Sequence, residues 1–328
     1  MTSSKPKVAF YWCASCGGCE EAVVDLAEKI LDVVGAVDIV FWPVALDFKR
    51  KDVEAMEDGA ILATFLNGGI RTTEQEEMAL LLRKKSQLMI AFGACSHLGG
   101  VPGLANLWDR TGIFHRAYQE SPSTVNPEGV VPRAESRENG RTATLPQFYD
   151  TVRSLDQVVE VDYAIPGCAP PPNVVFKAVG TLLSGALPPK GSVLGASDRA
   201  LCEECPRKDT RPDKLTLKEF KRPHQILIDE EKCHLAQGLL CMGPATRGGC
   251  ESPCVQGNMP CTGCFGPTDR VRDYGAKALS AIAYIIDSTD EKEIESILSK
   301  ISDPMGTFYR YSLPTSFLRR KNLMKAAS

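Results

Sequence analysis

Thirteen cysteines in 328 residues constrain this chain more than any other feature of its sequence. Three separate segments contain the CxxC spacing: Cys16 and Cys19, with Cys13 at the same spacing before Cys16, then Cys202 and Cys205, and Cys261 and Cys264. Two thiolates on one tight turn can bind the same metal centre, so each pair is a local chelate. The polar N-terminus lacks a signal-peptide pattern and a twin-arginine pair, which predicts the cytoplasm, where disulfides are rare. We therefore expect the cysteines to bind metal.

The first half of the chain alternates short apolar runs with amphipathic stretches. Buried strands are predicted at residues 7–12, 37–43, 60–66, 88–92 and 158–165. Helices are predicted at residues 20–34 and 173–183, and Thr73 with Glu76 forms a capping-box signature before another helix. Alternating strands and helices predict an α/β fold with a flavodoxin-like, doubly wound parallel sheet.

Five cysteines come just after predicted strands: Cys13, Cys16, Cys19, Cys95 and Cys168. The carboxyl ends of parallel strands meet at one edge of the sheet, so residues far apart in sequence can form one site there. Neighbouring glycines, among them Gly93 and Gly167, let the backbone approach a bulky group. Several thiolates without clustered carboxylates or histidines suit an iron–sulfur cluster or zinc.

The remaining eight cysteines lie between residues 195 and 270, where the sequence has little periodicity. They form two further sets of four: Cys202, Cys205, Cys233 and Cys241, then Cys250, Cys254, Cys261 and Cys264. The spacing of the last set is similar to that of ferredoxins. Three sets of four would leave one cysteine over. Two structural zinc sites in this half, with redox thiols in the first half, are the alternative.

The composition predicts three parts: a flavodoxin-like domain over residues 1–190, a mostly irregular and helical metal-organised domain over 191–270, and C-terminal helices with a basic tail over 271–328. Helices are predicted at 276–286 and 291–301, the second with a capping box of Ser288 and Glu291. The polar stretch 119–147 predicts either a solvated insertion or a loop that docks a partner subunit. A solvated tail is expected at Arg319, Arg320, Lys321 and Lys325.

Four segments resemble a known family, the small subunits of nickel–iron hydrogenases. They are WCASCGGC at 12–19, GACSHLGG at 93–100, PGCAPPPN at 166–173, and the stretch from Cys241 to Pro267. The last segment is similar to the cytosolic branch of methyl-viologen-reducing hydrogenases that do not use deazaflavin. The resemblance covers roughly residues 7–270, with several motifs in the same order.

This resemblance implies three 4Fe–4S clusters with cysteine ligands. The proximal cluster would be bound by Cys16, Cys19, Cys95 and Cys168, the distal cluster by Cys202, Cys205, Cys233 and Cys241, and the medial cluster by Cys250, Cys254, Cys261 and Cys264. Cys13 would be the residue left over. Cys202 stands where many periplasmic relatives have histidine, and the fourth medial cysteine favours a four-iron over a three-iron centre.

The function implied by the resemblance is electron transfer in an oxidoreductase complex, with no catalytic residue in this chain. A nickel–iron large subunit would oxidise dihydrogen, and a ferredoxin-like adaptor, with heterodisulfide reductase beyond it, would accept the electrons. The net charge of −3 gives no indication of nucleic-acid binding, and no apolar run reaches the roughly 18 residues of a membrane helix. Nothing here predicts membrane insertion.

Rival functions remain open from the sequence. An electron-transfer subunit of a complex-I-like assembly would share the first cysteine set but would not need residues 202–264. A hydrogenase-derived complex without hydrogenase activity, or a zinc-organised interaction protein, would keep them. Glu20 has two interpretations, helix-dipole stabilisation or a proton relay. His97 is either an ordinary surface or core histidine or a hydrogen-bond partner of the proximal cluster.

Overall fold

The computed structural model describes residues 5–318, so the predicted basic tail from Arg319 to Lys325 lies outside the described residues. The strands, in chain order, are β1 (Lys7–Trp12), β2 (Asp38–Phe41), β3 (Ile61–Asn67), β4 (Ile70–Thr72), β5 (Ser86–Phe92), β6 (Glu135–Glu138), β7 (Arg141–Thr144), β8 (Phe148–Arg153) and β9 (Tyr163–Ile165). Five of them form one parallel sheet in the order β2-β1-β3-β5-β9. This is the flavodoxin-like order, so the predicted fold class is confirmed.

Helices cover both faces of this sheet. They are α1 (Gly18–Val24), α2 (Ile30–Ala36), α3 (Arg50–Glu54), α4 (Thr73–Lys85), α5 (Ala94–Leu98), α6 (Arg110–His115) and α7 (Pro172–Ser184). One apolar cluster packs α1, α2 and α7 against the sheet, and a second packs α3 and α4 against the opposite face. Both faces of each central strand are buried, which explains the nearly continuous apolar runs in the sequence.

Three local predictions were wrong in detail. The helix predicted over residues 20–34 is two helices, because Ala27 adopts a left-handed backbone with φ of 52° that interrupts a right-handed helix. The capping box of α4 is formed by Thr72 and Gln75, one residue before the predicted pair Thr73 and Glu76. The strand predicted from residue 158 begins only at Tyr163.

The chain after α7 contains short helical turns and, within the described residues, no strand of a sheet. Its α-helices are α8 (Pro253–Gln256), α9 (Tyr274–Tyr284), α10 (Glu291–Leu298) and α11 (Pro304–Phe308). Asp290, rather than the predicted Ser288, caps α10 by accepting a hydrogen bond from the Glu293 amide. A third apolar cluster combines residues from 201 to 313. No helix between residues 5 and 318 is long and apolar enough to cross a membrane.

The polar stretch 119–147 lies outside the main sheet. It contains the antiparallel hairpin of β6 and β7, whose described side chains are exposed. The chain then returns in β8, which pairs antiparallel with β4. This small second sheet packs beside α6 and the turn Val101–Leu107.

Candidate metal centres

The first cysteine set assembles at the carboxyl edge of the sheet. Cys16 and Cys19 follow β1, Cys95 lies on α5 after β5, and Cys168 follows β9. Burial raises the pKa of the Cys19 thiol, and Cys95, Cys168 and Cys16 raise it further. Thiols influence one another in this way only at short range, so the structure brings these four together.

Glycines bring the backbone against these thiols. A β-carbon on Gly93 would lie 2.3 Å from Cys19 Sγ, and one on Gly100 would lie 2.4 Å from Cys95 Sγ. Both glycines also have positive φ angles, 84° and 60°. No other residue type fits at these two positions without moving a thiol.

The second set forms in the irregular region. Burial raises the pKa of Cys202 to about 12, and Cys241, Cys233 and Cys205 contribute in the same direction. A β-carbon on Gly243 would lie 3.2 Å from Cys202 Sγ and 3.6 Å from Cys241 Sγ. The four cysteines of the predicted distal group are therefore near one another.

The third set lies between the other two. Burial raises the pKa of Cys264 to about 12, and the neighbouring thiols of Cys254, Cys168 and Cys250 act in the same direction. The backbone amide of Cys168 acts in the opposite direction, because it donates a hydrogen bond to the Cys264 sulfur. Burial and the neighbouring Cys241 and Cys264 thiols raise the pKa of Cys261. The Cys261 amide donates a hydrogen bond to Cys241 Sγ at 3.3 Å. The hydrogen bond from the Cys168 amide to Cys264 thus joins the third set to the first, and the hydrogen bond from the Cys261 amide to Cys241 joins it to the second.

The donor chemistry of the three sets fits iron–sulfur clusters. All twelve donors are thiols, and backbone amides donate to the Cys241 and Cys264 sulfurs. Burial raises the pKa of the buried thiols, and the Arg211 charge only partly opposes this at Cys202, so a bound metal would supply the positive charge that stabilises the thiolates. Across residues 5–318, no three His, Cys, Asp or Glu side chains converge on one point that could hold a single metal ion.

Cys13 lies apart from the three sets. It is buried in the apolar cluster on the α3 and α4 face of the sheet. Burial and the Glu74 carboxylate raise its pKa, and its amide donates to the Asn67 carbonyl at 2.8 Å. The environment of Cys13 is therefore typical of a small apolar core residue.

Glu20 is a buried carboxyl beside the first set. Trp42 Nε1 and Asn67 Nδ2 both donate hydrogen bonds to it, and burial nevertheless raises its pKa. Its neighbour Glu21 is exposed. The two glutamates therefore have different surroundings, and the helix dipole alone does not account for Glu20. No local pattern pointed to Trp42 and Asn67, which lie 22 and 47 residues away.

His97 is shielded from solvent at its ring. Burial lowers its pKa to about 4, and the Arg247 charge lowers it further. Its Nδ1 atom is buried and has no hydrogen-bond partner among the described residues. The imidazole is therefore neutral at pH 7, which excludes the interpretation as an exposed surface histidine.

Arg207 joins the second and third sets and was missed in the sequence. It is 5% exposed and donates to the Asp229 and Lys232 carbonyls, the Val255 carbonyl and Asn258 Oδ1. Its Nη1 also lies 3.0 Å from His234 Nε2. These partners belong to the loops around Cys233 and after Cys254. The only local signal is the position of the arginine two residues after the Cys202–Cys205 pair.

A family model matches the first part of the chain. The model is described as the 20 kDa subunit of NADH ubiquinone oxidoreductase, and it matches residues 16–182. The match ends before Cys202, so it includes the first cysteine set but neither of the other two. A complex-I-like subunit therefore accounts for about half of this chain.

Solved structures confirm the fold over a longer range. A chain of the NiFeSe hydrogenase from Desulfovibrio vulgaris Hildenborough aligns with a TM-score of 0.52 and 18% identity, covering 82% of this chain and 96% of that chain. A NiFeSe hydrogenase chain from Dm. baculatum aligns with a TM-score of 0.51, 18% identity and the same coverage.

Curated relatives match nearly the full length. The iron–sulfur subunit of the F420-non-reducing hydrogenase from Archaeoglobus profundus is 41% identical over 318 residues, covering 96% of this chain and 98% of the relative. A subunit of the F420-non-reducing hydrogenase from Methanothermobacter thermautotrophicus is 35% identical over 322 residues, covering 97% and 98%. The chain therefore belongs to the family of small subunits of F420-non-reducing hydrogenases, and it is a component of an oxidoreductase complex.

Proposed function

We propose that this chain is the electron-transfer subunit of a cytoplasmic nickel–iron hydrogenase. It relays electrons from dihydrogen, oxidised in a separate large subunit, through three 4Fe–4S clusters to a ferredoxin-like or heterodisulfide-reductase-type acceptor. The names of the relatives support the hydrogenase assignment, and that of the A. profundus relative includes iron and sulfur. The proposed clusters accept and release one electron at a time when bound.

The contacts of the third thiol set with the other two sets carry this proposal. The Cys264 thiol is close enough to Cys168 of the first set, and the Cys261 thiol to Cys241 of the second, for each pair to interact electrostatically. The third set thus has a neighbour in each of the other two sets, which supports the proposed order proximal, medial and distal. Three neighbouring centres suit electron relay over a longer distance than one centre can span.

Glycines and backbone amides of this chain lie against the sulfurs of the three thiol sets. Glycines at positions 93, 100 and 243 leave room beside the sulfurs, and backbone amides donate to Cys241 and Cys264. Such hydrogen bonds stabilise the negative charge on a thiolate and so favour the reduced state of a cluster. Arg207 holds the two later loops in one position.

The first set supports docking of the large subunit at the sheet edge. Cys16 and Cys168 are exposed, although Cys19 and Cys95 are buried. Trp12, at the end of β1, is 39% exposed. An exposed aromatic residue beside an open metal site is typical of a surface that a partner covers.

Metal and sulfide analysis tests the proposal first. The complex would be purified without oxygen from cells that express this chain with its large subunit. We expect about twelve acid-labile sulfide atoms and, besides the iron of the nickel–iron centre, about twelve iron atoms per chain, with brown absorbance that falls on dithionite reduction. The same preparation should reduce methyl viologen with dihydrogen, and each dihydrogen oxidised should release two protons and reduce two viologen molecules.

Each rival gives a different result in this experiment. About two zinc atoms and no colour would identify a zinc-organised interaction protein. Full iron and sulfide without viologen reduction, in a preparation containing nickel, would identify a hydrogenase-derived complex that lacks hydrogenase activity.

A further inference from the structure

Arg71 on β4 has a buried charge without a hydrogen-bond acceptor. Only 4% of the residue is exposed, and Nε, Nη1 and Nη2 all lack a partner in the described part of the chain. Burial lowers its pKa to about 10, so the guanidinium stays charged at pH 7. An unpaired buried charge is costly, and proteins normally provide a partner for it.

Arg153 provides a matched comparison in the same two-stranded sheet. Its guanidinium carbon lies 5.1 Å from the ring centroid of Tyr149, and the Glu76 carboxylate accepts its hydrogen bond at 2.6 Å. The guanidinium carbon of Arg71 lies 4.3 Å from the ring centroid of Phe148. Both arginines stack on an aromatic ring, but only Arg153 donates a hydrogen bond to a carboxylate. The group that Arg71 lacks is therefore an anionic acceptor.

A series of aromatic side chains in contact with one another connects Arg71 to the surface. The ring centroids of Phe148 and Phe114 are 5.1 Å apart, and those of Phe114 and Tyr118 are 5.9 Å apart. Tyr118 is 38% exposed, and Trp108, close by in the chain, is 61% exposed. Aromatic residues of this kind are enriched in protein interfaces. They lie where the polar insertion 119–147 begins.

We propose that these aromatic side chains form a docking surface for the large subunit, and that a carboxylate of that subunit pairs with Arg71. The inference rests on the proposed function, which supplies the large subunit. Asp150 is the carboxylate whose charge acts on Arg71, but it is exposed and accepts from the Arg110 amide at 3.1 Å. Residues 1–4 and 319–328 contain no Asp or Glu. Because the guanidinium is covered, docking must shift the Phe148 and Phe114 rings, a common kind of interface adjustment.

The test compares two arginine variants in the assembled, cluster-loaded complex. Dissociation of the large subunit is measured by mass photometry on dilution, and iron per chain is measured on the same samples. Arg71→Met removes the charge and keeps the length of the side chain, so we expect the Kd for the large subunit to rise about 30-fold. Arg153→Met, the matched control, should change the Kd by less than about threefold. Arg71→Lys, which keeps the charge but not the planar fork, should fall between.

A surface variant keeps the test valid if Arg71→Met lowers the iron content. Tyr118→Ala changes only an exposed side chain, and we expect it to raise the same Kd about tenfold. Unchanged Kd values for both Arg71→Met and Tyr118→Ala would overturn the inference and leave the proposed function intact. A wild-type chain that forms no complex with a large subunit would instead contradict the proposed function.

Discussion

The sheet region and the region after residue 190 are ordered by different interactions. In the sheet region, five parallel strands are covered on both faces by two apolar clusters. After residue 190, the described chain has short helical turns, eight cysteines and one apolar cluster that reaches to residue 313. The sheet region is held by backbone pairing and two apolar clusters, whereas the later region combines one apolar cluster with eight cysteines and two buried arginines, Arg207 and Arg247.

This difference predicts unequal responses to metal removal, which should have the largest effect. Stripping iron with a chelator under reducing conditions should abolish hydrogen-exchange protection in residues 200–265, because these loops have few backbone pairs of their own. The strands β1, β3 and β5 should stay protected. Mass spectrometry of exchanged peptides measures both. Equal loss of protection in the two regions would contradict the comparison.

Arg207→Met should destabilise the later region by about 3 to 5 kcal/mol, because it leaves four acceptors without their buried donor. Denaturant unfolding of the cluster-loaded chain, followed by cluster absorbance, measures the change. Lys208→Met is the control, since the neighbouring lysine is exposed, and it should change stability by less than about 0.5 kcal/mol. Similar effects of both substitutions would exclude a structural role for the buried guanidinium.

Asp162→Asn should weaken the sheet region by about 2 to 3 kcal/mol at pH 7. Burial raises the pKa of Asp162, but hydrogen bonds from Lys190, the Met89 amide and Arg83 outweigh it, so the pKa is lowered overall. A lowered pKa gives stability that is present above about pH 4 and is lost as the pH falls further. The difference between wild type and variant should therefore shrink below about pH 4 in chemical unfolding experiments. Asp38→Asn, on an exposed side chain, should show no such dependence.

Cys13→Ala should have the smallest effect. It removes one buried sulfur from an apolar cluster, so we expect a loss of about 1 kcal/mol and unchanged iron content. Cys19→Ala, which removes a buried thiol of the first set, should instead lower the iron content by about one four-iron cluster. Iron loss in Cys13→Ala would place this residue among the ligands.

Much of the sheet region could be predicted from the sequence, because its signals are local. The β1 strand has the predicted bounds, and the cysteines follow strands as expected. The break at Ala27 and the later start of β9 were missed, because apolar spacing continues through both. Periodicity records which residues are buried, and it does not record the backbone conformation of a single residue.

The site was predicted in part. The grouping of the cysteines was predicted from their spacing and from a family resemblance, but their surroundings were not. Glu20 receives hydrogen bonds from Trp42 and Asn67, which belong to other elements, and Arg207 holds loops up to 51 residues away. In the sequence, no local pattern distinguishes Arg71 from an exposed arginine next to a charged segment. Such contacts depend on tertiary folding, and no local pattern indicates them.

Exposure of two thiols in the first set makes this edge of the sheet open to chemical attack. Cys16 and Cys168 are exposed, although Cys19 and Cys95 are buried. Oxidants reach exposed thiols directly from solvent, so Cys16 and Cys168 are more accessible to oxidation than the two buried members of the set.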